Sequence, residues 1–288
     1  MTVSTILVTG ASGFIGRALS QHLSGKHHVI CMSRRNPGVD LPFVRGEFQS
    51  FEDLRRLDAY NLEAVAHLGA VTGGCSERDG VLVTVEGTRC LMRYLVDRGC
   101  RKFVMASSIA AVGLQSVRFR PLQLPIPDEH PCLDRDGYGL SKYLMEEVTR
   151  YYQRQNEAID VTNLRLSSVC PDEAPAPLKE TGPLHEWAIG SVTVMCLADA
   201  VRAFAMAVEA PWKPGVRVMN ATGPKAWAKE PVAKILRGWY GEDFDASCFE
   251  RPGREWDSLY DVRRIEKEIG FVAERTPREV FGDLYPGD

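Results

Sequence analysis

A chain of 288 residues, 44% apolar and 25% charged, with a formal net charge of −3, has the make-up of a globular protein large enough to bury a substantial core. That charge balance offers no broad attraction to nucleic acid or to an acidic membrane surface, so neither is expected as a partner. No apolar run approaches the roughly 18 residues of a membrane span. The N-terminus enters a strand-like run at once, so no signal peptide is expected. The eight cysteines form no C-x-x-C pair, which points to buried thiols in a reducing cytoplasm rather than disulfides or a metal site.

The first element is the short apolar run Ile6-Leu7-Val8, followed at once by Thr9-Gly10-Ala11-Ser12-Gly13-Phe14-Ile15-Gly16. A β-branched run leading through glycines into an apolar-periodic helix (Phe14, Ile15, Ala18, Leu19, Leu23) is the order expected of a dinucleotide-binding turn. Gly10 permits the sharp turn, Gly13 lets the backbone approach a pyrophosphate, and Gly16 lets helix and strand pack closely. The helix start offers free N–H groups and the positive end of its dipole to phosphates.

Strand and helix patterns then alternate. Strands are predicted over 29–32, 43–44, 64–68, 103–106 and 161–166, and helices over 51–57, 84–98 and 138–155, the second stopped by Gly99. His67, within the fourth strand, reads as a core histidine. This alternation predicts an α/β fold: a doubly wound parallel sheet of Rossmann type with helices on both faces. After Cys170 a proline-rich run, Pro171 to Pro177, can continue neither helix nor central strand. Helices over 197–208, 232–240 and 262–269 and a strand near 216–219 follow. We therefore expect residues 1–170 to form the dinucleotide-binding domain. Residues 171–288 are expected to form a smaller substrate-binding lobe that returns to the sheet at least once.

The fifth strand ends in Ser107-Ser108, where a doubly wound sheet places its ligand crevice. Tyr138 and Lys142 lie four residues apart and share one helical face. A free phenol, with a pKa near 10, is a poor base at neutral pH, and a neighbouring ammonium is expected to favour the phenolate. Tyr138 could then exchange a proton with a carbinol while a nicotinamide exchanges hydride. Ser108 could hydrogen-bond the substrate oxygen.

With these motifs in place, the chain resembles the extended short-chain dehydrogenase/reductase family of nucleotide-sugar epimerases, dehydratases and reductases. Arg45-Gly46-Glu47-Phe48 is similar to the family's turn against adenine, His67-Leu68-Gly69-Ala70 to its H-L-A-A segment beside the cofactor, and Glu86-Gly87-Thr88 to its N-V-x-G-T helix start. Asp199 sits where its V-x-D-V-A stretch falls, and 260–271 match its closing pattern. The resemblance implies catalytic roles for Ser108, Tyr138 and Lys142. It implies cofactor contacts from Gly10, Gly13, Phe14, Ile15, Gly16, Glu47, Phe48, Leu68 and Ala70, as well as from Tyr138 and Lys142. It implies substrate contacts from Ser108, from Ser168 (where epimerases commonly carry Asn), and from Arg251, at the position of the arginine that grips a diphosphate. Thr84 replaces the motif's Asn, Gly69 replaces an alanine (a minor change by sequence), and Val112-Gly113 lacks the usual aromatic.

An NAD site wants an acidic residue about 20 positions beyond the glycines. Here the second strand runs into Ser33-Arg34-Arg35, a hydroxyl and guanidinium suited to a 2′-phosphate, so NADP(H) is favoured over NAD(H). The expected activity is reduction or epimerisation at a secondary alcohol or ketone of a nucleotide-linked sugar. The alternative is a non-catalytic NADP-sensing protein, against which the Tyr138/Lys142 pair argues. By the resemblance, a homodimer is expected through helices 84–98 and 138–155, with Leu91, Tyr94, Leu95, Leu144, Val148 and Tyr151 as candidate contacts.

Overall fold

The computed structural model describes residues 3–180 and 182–287. Its centre is a sheet of seven parallel strands. In chain order these are β1 (Thr5–Thr9), β2 (His28–Ser33), β3 (Phe43–Arg45), β4 (Ala64–His67), β5 (Lys102–Ser108) and β6 (Asp160–Leu166), then, after two short strands, β9 (Gly215–Ala221). The spatial order β3-β2-β1-β4-β5-β6-β9 is the doubly wound arrangement, reversing direction beside β1. All seven strands run parallel, so their carboxyl ends lie along one edge.

Side-chain alternation divides the core between the two faces. Ile6 and Val8 point to one face, where α1 (Phe14–Ser24) and α7 (Leu197–Glu209) cover them with Leu19, Leu23 and Phe204. Leu7 points to the other, among Leu91 and Leu95 of α4 (Glu86–Asp97) and Met145 of α5 (Gly137–Gln155). Parallel strands buried on both faces need continuous apolar runs, and β1 and β5 supply them.

A separate core underlies the smaller lobe. Ile109, Val112, Phe119 and Ile126 pack there against Ile189 of α6 (Ala188–Val192), Ile235, Leu236 and Trp239 of α8 (Val232–Tyr240), and Tyr260. The lobe's core thus draws on residues from both sides of position 170, while α7 and β9 belong to the main sheet. Two short strands, β7 (Ser168–Cys170) and β8 (Val194–Cys196), pair in parallel as a second sheet. Asp199, in the first turn of α7, accepts the backbone N–H groups of Glu274 and Arg275, which ties the C-terminal segment to the sheet.

The helix predicted over 84–98 begins differently. Residues Gly80–Val85 form a π-helical turn leading into α4. Gly80 lies so close to α5 that a Cβ there would meet the Gly137 carbonyl oxygen at 2.6 Å. The buried Thr84 hydroxyl accepts the Val71 N–H at 3.4 Å. A π turn of this kind commonly marks a functional site. Among the described residues no helix is long and apolar enough to cross a membrane.

Candidate active site

A cleft of about 580 Å³ runs along the carboxyl edge of the sheet. Gly10, Gly13, Phe14, Ile15 and Gly16 line it after β1, Ser33, Arg34 and Arg35 after β2, and Glu47 and Phe48 after β3. Leu68, Ala70, Val71 and Thr72 follow β4. Ser108 ends β5, Tyr138 and Lys142 stand on α5, and Leu166 and Ser167 close the far side.

The glycine turn behaves as its pattern requires. Gly10 adopts φ +66°, and a Cβ there would stand 2.8 Å from the Gly69 nitrogen. A Cβ on Gly16 would stand 2.9 Å from the Gly10 carbonyl carbon, so α1 packs against the turn at backbone contact. No side chain caps the N-terminus of α1, which leaves its first N–H groups directed into the cleft for an anion.

At the end of β2 the Ser33 hydroxyl donates to the Arg35 carbonyl at 2.7 Å. Arg34 and Arg35 are exposed, and among the described residues neither forms an ion pair with a carboxylate, which leaves both guanidinium groups available to an anion in the cleft. Across from them the Glu47 N–H donates to Asp53 at 2.9 Å and the Gln49 amide donates to the Glu47 carboxylate at 3.2 Å. Phe48 stands edge-on to His67, with ring centroids 4.9 Å apart, and is held between two glycines. A Cβ on Gly69 would come within 2.5 Å of Phe48 Cε1, and one on Gly87 within 2.7 Å of Cδ2. Gly69 is therefore what admits Phe48, a larger consequence than its small change of size indicates.

At the opposite end the Asp136 carboxylate accepts the N–H groups of Tyr138 and Gly139 at 2.9 and 3.0 Å, capping α5 and fixing where Tyr138 begins. One turn on, Lys142 is buried and its Nζ donates to the Ala106 carbonyl at 2.7 Å. Burial pulls this ammonium down to about 8, against the opposing effect of Glu146.

The expectation that Lys142 makes the Tyr138 phenol acidic is not met. Burial pushes the phenol above its ordinary value; the Ser108 hydroxyl lowers it only in part, and Cys75 and Asp136 raise it further. The physical reason is placement. Nζ stands over the ring, 5.6 Å from its centroid, and is committed to a carbonyl of β5, so its charge does little for the oxygen. At neutral pH Tyr138 holds its proton, the form needed to deliver one to a developing alkoxide.

His67 is the core histidine its strand implied. Thr9 Oγ1 lies 2.6 Å from Nδ1 and Thr88 Oγ1 lies 3.1 Å from Nε2. Burial, with Lys142 nearby, lowers the ring to about 3, so it is neutral and serves no general-base role at ordinary pH.

Beneath the site lies a polar network that motif reading did not find. Glu146, one turn beyond Lys142, accepts from Ser107 at 2.6 Å and from both sides of the Arg165 guanidinium at 2.9 and 2.8 Å. Arg165 pairs in register with Ser107 across β5 and β6 and donates to the Asp128 carbonyl at 3.1 Å. This buried pair locks β5, β6 and α5 together below the Ser108–Lys142 end. The signals were the i, i+4 spacing of Lys142 and Glu146 and an arginine, Arg165, within a strand that is buried throughout.

Two candidate substrate residues are not brought to the cleft wall. Ser168 is exposed in β7, and its hydroxyl donates to the Gly190 carbonyl at 2.9 Å. Its neighbour Ser167 faces the cleft instead. Arg251 is exposed on a turn closed by the Arg254 N–H onto its carbonyl, away from the cleft. The motifs give no sign of Thr72, which lines the cleft, or of Trp187, which stands outside its lining. The latter has a left-handed backbone, φ +66°, and its indole lies where a Cβ on Gly73 would come within 2.8 Å.

With this geometry established, comparison with known proteins is specific. The chain is 27% identical over 191 residues to UDP-glucose 4-epimerase of Drosophila melanogaster, covering 57% of this chain and 53% of that protein. It is 30% identical over 179 residues to a putative UDP-glucose 4-epimerase of Methanocaldococcus jannaschii, covering 57% and 55%. The chain thus matches only about half the length of these relatives. Among solved structures it is similar to a short-chain dehydrogenase/reductase superfamily protein from Agrobacterium tumefaciens with bound NAD (TM-score 0.71, 23% identity, 98% and 96% covered). It is also similar to UDP-glucose 4-epimerase from Bifidobacterium longum in complex with NAD+ and UDP (TM-score 0.72, 18% identity, 96% of each chain); at such identities the likeness establishes the fold. Residues 6–181, which carry the glycine turn, the Ser108 strand and the Tyr138 helix, match the family's own pattern, and the chain belongs to the NAD dependent epimerase/dehydratase family.

Proposed function

We propose that this protein is an NADP(H)-dependent oxidoreductase of the extended short-chain type. It would reduce or epimerise a secondary alcohol or ketone of a nucleotide-linked sugar, with net reduction the favoured outcome. The observation that carries this reading is the convergence of Ser108, Tyr138 and Lys142 on the same cleft that the glycine turn lines. The residues present fit a dinucleotide: the glycines leave a cradle that a Cβ would fill, and Arg34 and Arg35 supply unpaired positive charge beside Ser33.

Each residue then has a physical task. Gly13 and the start of α1 receive the diphosphate, and Arg34 with Ser33 receives a 2′-phosphate. Lys142, anchored on Ala106, holds positive charge beneath the reacting end. Tyr138 keeps its proton at Oη and gives it to the substrate oxygen as negative charge develops there, and Ser108 hydrogen-bonds that same oxygen. The bound nicotinamide supplies hydride transfer. Residues from the smaller lobe, facing this end, would hold the rest of the substrate.

The test measures turnover of nicotinamide with 4-keto and 4-hydroxy nucleotide sugars, using Tyr138→Phe as the control. Loss of turnover in the variant, with cofactor binding retained, supports the reading. Equal activity in parent and variant removes Tyr138 from the chemistry. Cofactor binding without turnover of any substrate would leave the NADP-sensing alternative.

We further propose a cytoplasmic homodimer; eight free cysteines fit a reducing compartment. The interface would use Leu144, Val148 and Tyr151 of α5, which are partly or fully exposed. Leu91 and Leu95 are fully buried in the sheet's own core, and Tyr94 is buried with its hydroxyl donating to Asp58 at 2.7 Å, so these three do not contribute. Sedimentation of a monomer at micromolar concentration would count against the dimer.

A further inference from the structure

Where β6 ends, one residue separates it from β7. That residue, Ser167, is 7% exposed. Its backbone N–H donates to the Ala221 carbonyl at 3.3 Å, and it lines the cleft beside Leu166 and Val169. Its Oγ is buried with no hydrogen-bond partner among the described residues.

The serines around it differ. Ser107 donates to Glu146, Ser108 Oγ accepts the Ala110 N–H at 3.1 Å, and Ser168 donates to Gly190. Burying a hydroxyl unpaired is unfavourable, and a buried polar group left without a partner in a native fold calls for a reason. At a cleft wall, a bound ligand supplies that partner.

Position decides which part of the ligand. Ser108 pairs in register with Leu166, so Ser167 stands one residue beyond the Ser108 level, at the end of the cleft that holds Tyr138 and Lys142. The side chains flanking it, Leu166 and Val169, are apolar, which suits a flat heteroaromatic ring with one polar substituent. A hydroxyl both donates and accepts, matching a carboxamide, which presents a carbonyl and an amino group.

We propose that Ser167 is a positioning residue whose Oγ hydrogen-bonds the carboxamide of the nicotinamide, setting the ring's rotation and so the face it turns toward Ser108 and Tyr138. This rests on the reading of the cleft as a nicotinamide dinucleotide site, but not on the identity of the sugar substrate.

The experiment compares ligands with and without the nicotinamide. Dissociation constants of NADPH and of 2′-phospho-ADP-ribose, and of NADH and ADP-ribose, are measured for the parent, Ser167→Ala and Ser167→Thr. Loss of one such hydrogen bond is expected to weaken NADPH and NADH about five- to tenfold in Ser167→Ala. The ADP-ribose ligands should stay within about twofold, threonine should restore affinity, and the ligand-free thermal midpoint should be unchanged or higher. Equal weakening of both ligand types, or no change in either, overturns the assignment. A parent that binds none of the four also overturns it, together with the cofactor reading. A parent that binds them but turns over no nucleotide sugar refutes the proposed function alone and leaves the Ser167 result to stand.

Discussion

Replacing Gly69 with alanine is the smallest change that tests how the Phe48 end of the cleft is built. The added methyl would lie 2.5, 2.8 and 3.2 Å from Cε1, Cδ1 and Cζ of Phe48, well inside van der Waals contact. The ring cannot swing aside, because its other edge faces Gly87, whose own hypothetical Cβ would sit 2.7 Å from Cδ2. The ring must therefore leave its position or the backbone must shift. Overpacking of this sort costs about 1–3 kcal/mol. For a chain of this size that corresponds to a fall of roughly 2–5 °C in thermal midpoint. Because Phe48 lines the cleft, NADPH affinity should fall as well. Thermal and urea unfolding of the parent, Gly69→Ala, Phe48→Leu and the double variant give the coupling directly. Leucine is narrower than the ring, so the double variant should recover at least about 1 kcal/mol relative to additivity. Strict additivity, or a Gly69→Ala protein as stable as the parent with full cofactor affinity, would refute the claim that Phe48 is locked between the two glycines.

Four further outcomes are expected. Tyr138→Phe should lower kcat by about 10²–10⁴ while the NADPH dissociation constant stays within about twofold, as checked by steady-state kinetics and fluorescence titration. Arg34→Ala should weaken NADPH more than NADH; equal effects on both would remove the 2′-phosphate assignment. Glu146→Ala should destabilise the fold by about 3–5 kcal/mol, since it leaves the Arg165 guanidinium buried without its partner; a midpoint within a degree of the parent would contradict this. Two buried groups should oppose one another as pH changes. His67, lowered from 6.5 to about 3, contributes stability that is lost as pH falls below 6.5. Asp128, raised by burial from 3.8 to about 6, contributes stability that is lost as pH rises from 3.8 toward 6. Each corresponds to at most about 1.4 kcal/mol per pH unit, of opposite sign. Urea unfolding between pH 4 and 6 should therefore steepen in favour of low pH in His67→Gln and in favour of high pH in Asp128→Asn. Parallel curves for parent and variants would refute both shifts.

The sequence alone was enough to specify the sheet, because its determinants are local. Apolar runs such as Ile6-Leu7-Val8 and Phe103-Val104-Met105-Ala106 form buried strands whatever they pack against, and the glycine turn after β1 is set by backbone constraints that only Gly10 and Gly16 meet. Tyr138 and Lys142 shared a helical face by spacing alone, and Ser108 ended a strand whose carboxyl edge the parallel order made a ligand crevice. What spacing could not decide was anything that depends on direction or on partners distant in sequence. Whether Ser167 or Ser168 faces the cleft turns on where β6 gives way to β7, a choice made by pairing with Ala221 and with β8. Whether Arg251 reaches the cleft depends on how its turn is carried by the smaller lobe. That Gly69 is indispensable follows from Phe48, twenty-one residues earlier, and Gly87, eighteen later, closing on the same volume. The acidity of Tyr138 was misread for the same reason: sequence places an ammonium one turn away, but only the tertiary structure commits that ammonium to the Ala106 carbonyl and desolvates the phenol. Covalent neighbours and periodicity determine which elements form; burial and long-range contacts determine which atoms within them are charged, paired or free to act.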